Sequence, residues 1–220
     1  MATRKKQNDL VRFITNDDVE IVVQRIPEEY RQRLRDVFIK YRSRGVRVLG
    51  SVSTRGRRDI NLTRSLPPRV SLRRFLCKGQ SANDFGAPAR GQWPPWAVRR
   101  FLLYDVLLHE LGHLQLVDAK STNWNRKYAG ETLAQNFADE WREKLWTTTF
   151  DHPDPIHNPP TRDELSIIPL WERLDKDQRY HLVGLVLKAP YQNVPDFSIF
   201  GELENSQRRF LSSAMSYNWQ

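Results

Sequence analysis

The stretch YDVLLHELGHLQLVD, Tyr104 to Asp118, sets two histidines four residues apart with a glutamate beside the first. On an α-helix, positions i and i+4 share a face, so His109 and His113 can present two imidazole nitrogens to one ion. Zn2+ takes such ligands at about 2.0–2.1 Å and, in a catalytic site, keeps one corner of its tetrahedron open. Glu110 stands beside the pair, where a carboxylate can deprotonate a zinc-bound water for attack on a carbonyl. The flanking Val106, Leu107, Leu108, Leu111, Gly112 and Leu114 are uncharged, as a buried ligand helix requires. Without a metal, the same helix would bury two histidines and a glutamate together, which is costly unless each is hydrogen-bonded.

A third ligand has to come from elsewhere in the fold. His152, His157 and His181 lie downstream, the first two in a proline-rich stretch where a histidine is expected to be solvated. Glu131, in GETLAQNFADEW, is the better candidate. The 17 residues between it and His113 allow a turn and an antiparallel return helix. Glu131, Ala134 and Ala138 share one helical face, and the small side chains would let that helix approach the histidines closely. Two imidazoles and a carboxylate suit one Zn2+ per chain and leave a position for water.

HELGH followed by ETLAQNFA resembles the gluzincin metallopeptidases, in particular the minimal ImmA/IrrE-like group. The resemblance covers about residues 106–138, and Glu131, Ala134, Phe137 and Ala138 match that group's E-x-x-A-x-x-F-A helix. It implies that Glu131 is the third zinc ligand and that the chain cleaves peptide bonds in a protein or peptide substrate. Two positions depart from the pattern. Gln135 stands where some gluzincins place an aspartate that holds a zinc-bound histidine, leaving Asp139 or Asp118 as substitute acceptors. Gln115 stands where an apolar residue is preferred.

The elements that must position these residues suggest an α+β fold. A small N-terminal β-sheet with a helix precedes the buried HExxH zinc helix and the second ligand-bearing helix, and a mostly helical C-terminal extension follows. β-branched VEIVVQRIP, Val19 to Pro27, reads as a strand ended by proline. PEEYRQRLRDVFIKYRSRG reads as a helix closed by Gly45, with Tyr30, Leu34, Val37, Phe38 and Tyr41 on its buried face. Val46 to Thr63 reads as two strands around a basic turn at Arg55–Arg58, and RDINLT could be an edge strand that pairs with an extended peptide. A Pro/Gly-rich excursion with a short helix at Ser71–Cys77 leads to the zinc helix, and WPPW, Trp93 to Trp96, is expected to pack it there. Four prolines in FDHPDPIHNPPT forbid regular structure, dividing the chain into a metallopeptidase domain, 1–150, and a Pro-rich linker with helical extension, 151–220, packed on it.

The single Cys77 excludes an intrachain disulfide framework and a cysteine-cluster zinc site, which favours a reducing, cytoplasmic setting. No signal-peptide run and no 18-residue apolar window is present, so no membrane span is expected. Residues 1–100 carry 23 Lys and Arg against nine Asp and Glu, whereas residues 101–220 carry 12 against 17. The basic half, through Arg55–Arg58 or Arg69–Arg74, offers nucleic acid a surface, and a DNA-associated protease is one alternative reading. A non-catalytic zinc-scaffold regulatory protein is another, although a scaffold has no need of Glu110. Tyr128, His152, His157, Tyr180 and His181 are open candidates to stabilise the oxyanion.

Overall fold

The structure is a computed structural model that describes residues 10–40, 48–52, 58–116, 124–188 and 197–216. Its architecture is α+β. Strand β1 (Val11–Arg12) leads into helix α1 (Asn16–Gln24), and a single helical turn, α2 (Glu28–Arg31), precedes β2 (Asp36–Lys40). Then come β3 (Gly50–Val52), β4 (Asp59–Thr63) and β5 (Ser65–Leu66). The three longer strands form a sheet in the order β2-β4-β3, with β2 parallel and β3 antiparallel to β4. β1 pairs antiparallel with β5.

Two sequence expectations fail here for local reasons. Val19 to Gln24 is helix, not strand, because a capping box starts it: Thr15 Oγ1 accepts from Asp18 N–H at 3.1 Å, and the Asp18 carboxylate accepts from Thr15 N–H at 2.8 Å. The helix from Pro27 stops after one turn, and Asp36 to Lys40 is strand β2. Val37 and Ile39 alternate with Asp36, Phe38 and Lys40 across its two faces, leaving Phe38 40% exposed instead of buried. Tyr41 to Gly45 and most of the basic turn lie outside the described residues. β3 and β4 pair antiparallel as expected, but among the described residues Asp59–Thr63 is the central strand, so RDINLT is not a sheet edge; β2 and β3 are.

Beyond β5, two short 3-10 turns, Arg73–Phe75 and Ala82–Phe85, punctuate the long loop. A continuous helical rod follows: α3 (Pro95–Phe101), a π-helical segment (Leu102–Val106) and α4 (Leu107–Gln115). It is followed by α5 (Trp124–Thr147), a 3-10 turn at Pro155–His157, and helices α6 (Arg162–Arg173), α7 (Lys176–Lys188) and α8 (Asn205–Ser216).

One buried apolar cluster runs from Val11 to Met215, with the rod through its middle. Trp93 packs edge-on against Phe101, holding the loop to the rod. Trp96 meets Trp171 of α6 and Phe210 of α8 in edge-to-face contacts. The Arg100 guanidinium makes a two-pronged, fully buried pair with Glu164 at 2.5 and 2.8 Å, so α6 is keyed to α3 by charge as well as by packing. Among the described residues no helix is long and apolar enough to cross a membrane.

Candidate metal centre

α4 and α5 lie against each other, and glycine at one position is what lets them do so. A Cβ on Gly112 would sit 2.7 Å from the carbonyl oxygen and 2.8 Å from the Cα of Ala134, both backbone atoms that cannot swing aside. Ala134 and Ala138 are fully buried across the same contact. Trp141 and Leu145 continue the inward face of α5, with Phe137 partly buried beside it.

This close packing brings His109, His113 and Glu131 together, as the sequence suggests. Glu131 Oε2 is 3.3 Å from His109 Nε2 and 3.4 Å from His113 Nε2, and one ligand atom from each residue lies within 4.8 Å of the others. For bonds of 2.0–2.1 Å, the edges of a tetrahedron are about 3.3–3.4 Å, so both histidine–carboxylate separations fit a shared zinc. The imidazoles are 20% exposed and the Glu131 side chain 51%, which keeps the cluster open to solvent on one side.

Hydrogen bonding decides which histidine nitrogen is free. His109 Nδ1 is 3.0 Å from Gln135 Oε1. Gln135 Nε2 donates at 3.1 Å to both Asp105 Oδ1 and Asp139 Oδ1, which places its carbonyl on the histidine side. His109 therefore donates from Nδ1, and a neutral ring turns its Nε2 lone pair onto a carboxylate oxygen. Two acceptors facing each other at 3.3 Å repel unless a proton or a metal cation lies between them. Burial, then the charge of His109, lowers the pKa of His113 and favours its neutral form, although Glu131 opposes this. The donor set thus fits Zn2+.

Glu110 is nearly buried against β3, whose Val52 N–H donates to it. A Cβ on Gly50 would lie 2.7 Å from Glu110 Oε1 and 2.8 Å from Val106 Cγ1, so the edge strand reaches the carboxylate only because residue 50 has no side chain. Burial first, then the Glu131 charge, pushes the Glu110 pKa up to about 8, with the Val52 hydrogen bond working against them. Glu110 stands beside the three-residue cluster and is not part of it.

Of the residues behind His109, the sequence points to Asp139 but not to Asp105, Gln80 or Arg142. Asp105 in the π segment and Asp139 on α5 each accept from Gln80, Gln135 and Arg142. The Cys77 thiol also donates to Gln135 Oε1 at 3.2 Å, which ties the Pro/Gly-rich loop to the centre. Burial, then Asp105, then Asp139 raises the pKa of Cys77 and keeps it a thiol. A signal was present in the spacing: Asp105 precedes His109 by four, and Asp139 follows Gln135 by four. Gln135 thus meets the histidine itself, while Asp139 acts one step behind; Asp118 lies outside the described residues. Gln115 braces the rod by donating to the carbonyls of Tyr30 and Leu111.

The other histidines lie apart from this cluster. His157 is fully buried, contrary to the expectation of a solvated loop residue, and the His152 ring packs edge-on against it. Tyr104 O–H approaches His157 Nδ1 at 2.9 Å, and Arg99 spans Asp18 at 3.0 Å and Asp154 at 2.6 Å beside it. Burial, then the Arg99 charge, depresses the His157 pKa to about 2. His181 is exposed on α7, and Tyr180 lies beneath the Arg69 guanidinium, which pairs with Asp177. The side chain of Tyr128 lies outside the described residues. No family model matches the chain, and no curated protein or solved structure matches it.

Proposed function

We propose that the chain is a zinc-dependent metallopeptidase of gluzincin type, with His109, His113 and Glu131 holding one Zn2+. The observation that carries this reading is the convergence of His109 Nε2 and His113 Nε2 on one Glu131 oxygen, at 3.3 and 3.4 Å. Zinc, when bound, supplies a Lewis acid that polarises a peptide carbonyl and acidifies water. Glu110 is the proton acceptor for the attacking water and then the donor to the leaving amine, so the C–N bond breaks as water's proton reaches nitrogen. Its burial against β3, where the Val52 N–H donates to it, holds it in one place beside the cluster.

Among the described residues β3 is an outer strand of the sheet, and its backbone beside Glu110 is where an extended peptide would pair. A reducing, cytoplasmic setting suits the lone thiol of Cys77. The test is incubation of the zinc-loaded protein with a denatured protein mixture, reading new amino termini by mass spectrometry. The expected result is cleavage by wild type and at least a ~100-fold loss in Glu110→Gln, with zinc content unchanged. Wild-type cleavage by Glu110→Gln would sink the assignment of the base.

A further inference from the structure

We propose that Gln135 is the positioning residue of the centre, and that an amide, not a carboxylate, is required at this place. The inference rests on the zinc reading above and deepens it. Three donors, Gln80 Nε2, Gln135 Nε2 and an Arg142 nitrogen, converge on Oδ1 of Asp105 and again on Oδ1 of Asp139. Both oxygens are therefore acceptors, and Gln135 can meet them only with its NH2 group. The amide has no second orientation, so its Oε1 is held toward His109 Nδ1. This fixes the ring hydrogen on Nδ1 and leaves Nε2 on the side of Glu131 and His113.

A carboxylate that accepts from a ligating histidine ordinarily strengthens a metal site. Here it would be a third anion against Asp105 and Asp139, with Arg142 as the cation bridging that pair. Glu at position 135 would lose both hydrogen bonds to those carboxylates and face their repulsion. The network reverses the usual ranking of carboxylate over amide. Moving the amide one turn along α5, to position 139, would restore a donor between the two carboxylates.

Two measurements test this. In the metal-free wild type, the 15N shifts of the His109 ring report which nitrogen carries hydrogen, independent of zinc and of activity. Nδ1–H is expected, with a mixed population in Gln135→Met; Nε2–H in wild type, or no change in Gln135→Met, overturns the proposal. Competition with a chelator then measures zinc affinity. Gln135→Glu is expected to weaken it ~10–100-fold, and Gln135→Glu with Asp139→Asn to recover most of that loss. Equal or tighter binding by Gln135→Glu, or no recovery in the double variant, contradicts it. If wild type binds no zinc yet shows the Nδ1–H form and its shift in Gln135→Met, the positioning role stands and the zinc reading fails.

Discussion

His109, His113 and Glu131 bring three ligand atoms within 4.8 Å of one another, and so do Asp18, Asp154 and His157. By residue type both groups could hold a metal. They differ in the source of positive charge. In the second group Arg99, itself 2% exposed, reaches both carboxylates, and the chain supplies its own cation. His157 then stays neutral, its buried Nε2 without a hydrogen-bond partner among the described residues and 3.9 Å from Asp18. In the first group no Lys or Arg is paired with Glu131 among the described residues, and the nearest guanidinium in the network, Arg142, is spent on Asp105 and Asp139. The second cluster is thus a structural brace filled by an internal cation, whereas the first has no such cation among the described residues.

The strongest way to break the brace is to remove that cation. Arg99→Met leaves two carboxylates buried without their partner and should cost about 3–5 kcal/mol, read by chemical denaturation. The proposed metal centre depends instead on close packing. Gly112→Ala forces Ala134 backbone away and should cost about 1–3 kcal/mol while lowering zinc affinity, since it moves Glu131 from the histidines.

Acid sharpens the contrast. His157 has a folded-state pKa near 2, against about 6.5 unfolded, so between these values the unfolded chain binds more protons. Its contribution is present above pH 6.5 and is lost as pH falls, by up to about 1.4 kcal/mol per pH unit. The stability gap between wild type and His157→Asn should therefore narrow from pH 7 to pH 4; a gap that holds constant would contradict the neutral, buried assignment. Glu131→Ala should have the smallest effect on the fold, within about 0.5 kcal/mol in the metal-free protein, because half of that side chain is exposed.

The residues legible in the sequence were those whose partners lie one helical turn away. The i,i+4 histidines and the shared face of Glu131, Ala134 and Ala138 are local patterns, and the structure brings them together. The misread elements obeyed other signals. β-branched Val19, Val22 and Val23 looked like strand, but the Thr15–Asp18 capping box decided for helix. Asp36 to Lys40 became strand through pairing with β4, a partner some twenty residues away that periodicity does not reveal. The burial of His157 depends on Arg99, Asp18 and Asp154, which meet from three separate segments. Gln135 read as a departure because the carboxylates that require its amide, Asp105 and Asp139, are its partners only in the folded state.

The central claim is that the first cluster takes its cation from outside the chain, and metal content tests it most directly. Purified wild type and Glu131→Ala would be dialysed side by side and their zinc measured by elemental analysis. The account predicts about one zinc per wild-type chain and little or none in the variant. Equal zinc in both, or a folded wild type that takes up none when zinc is added, would contradict it.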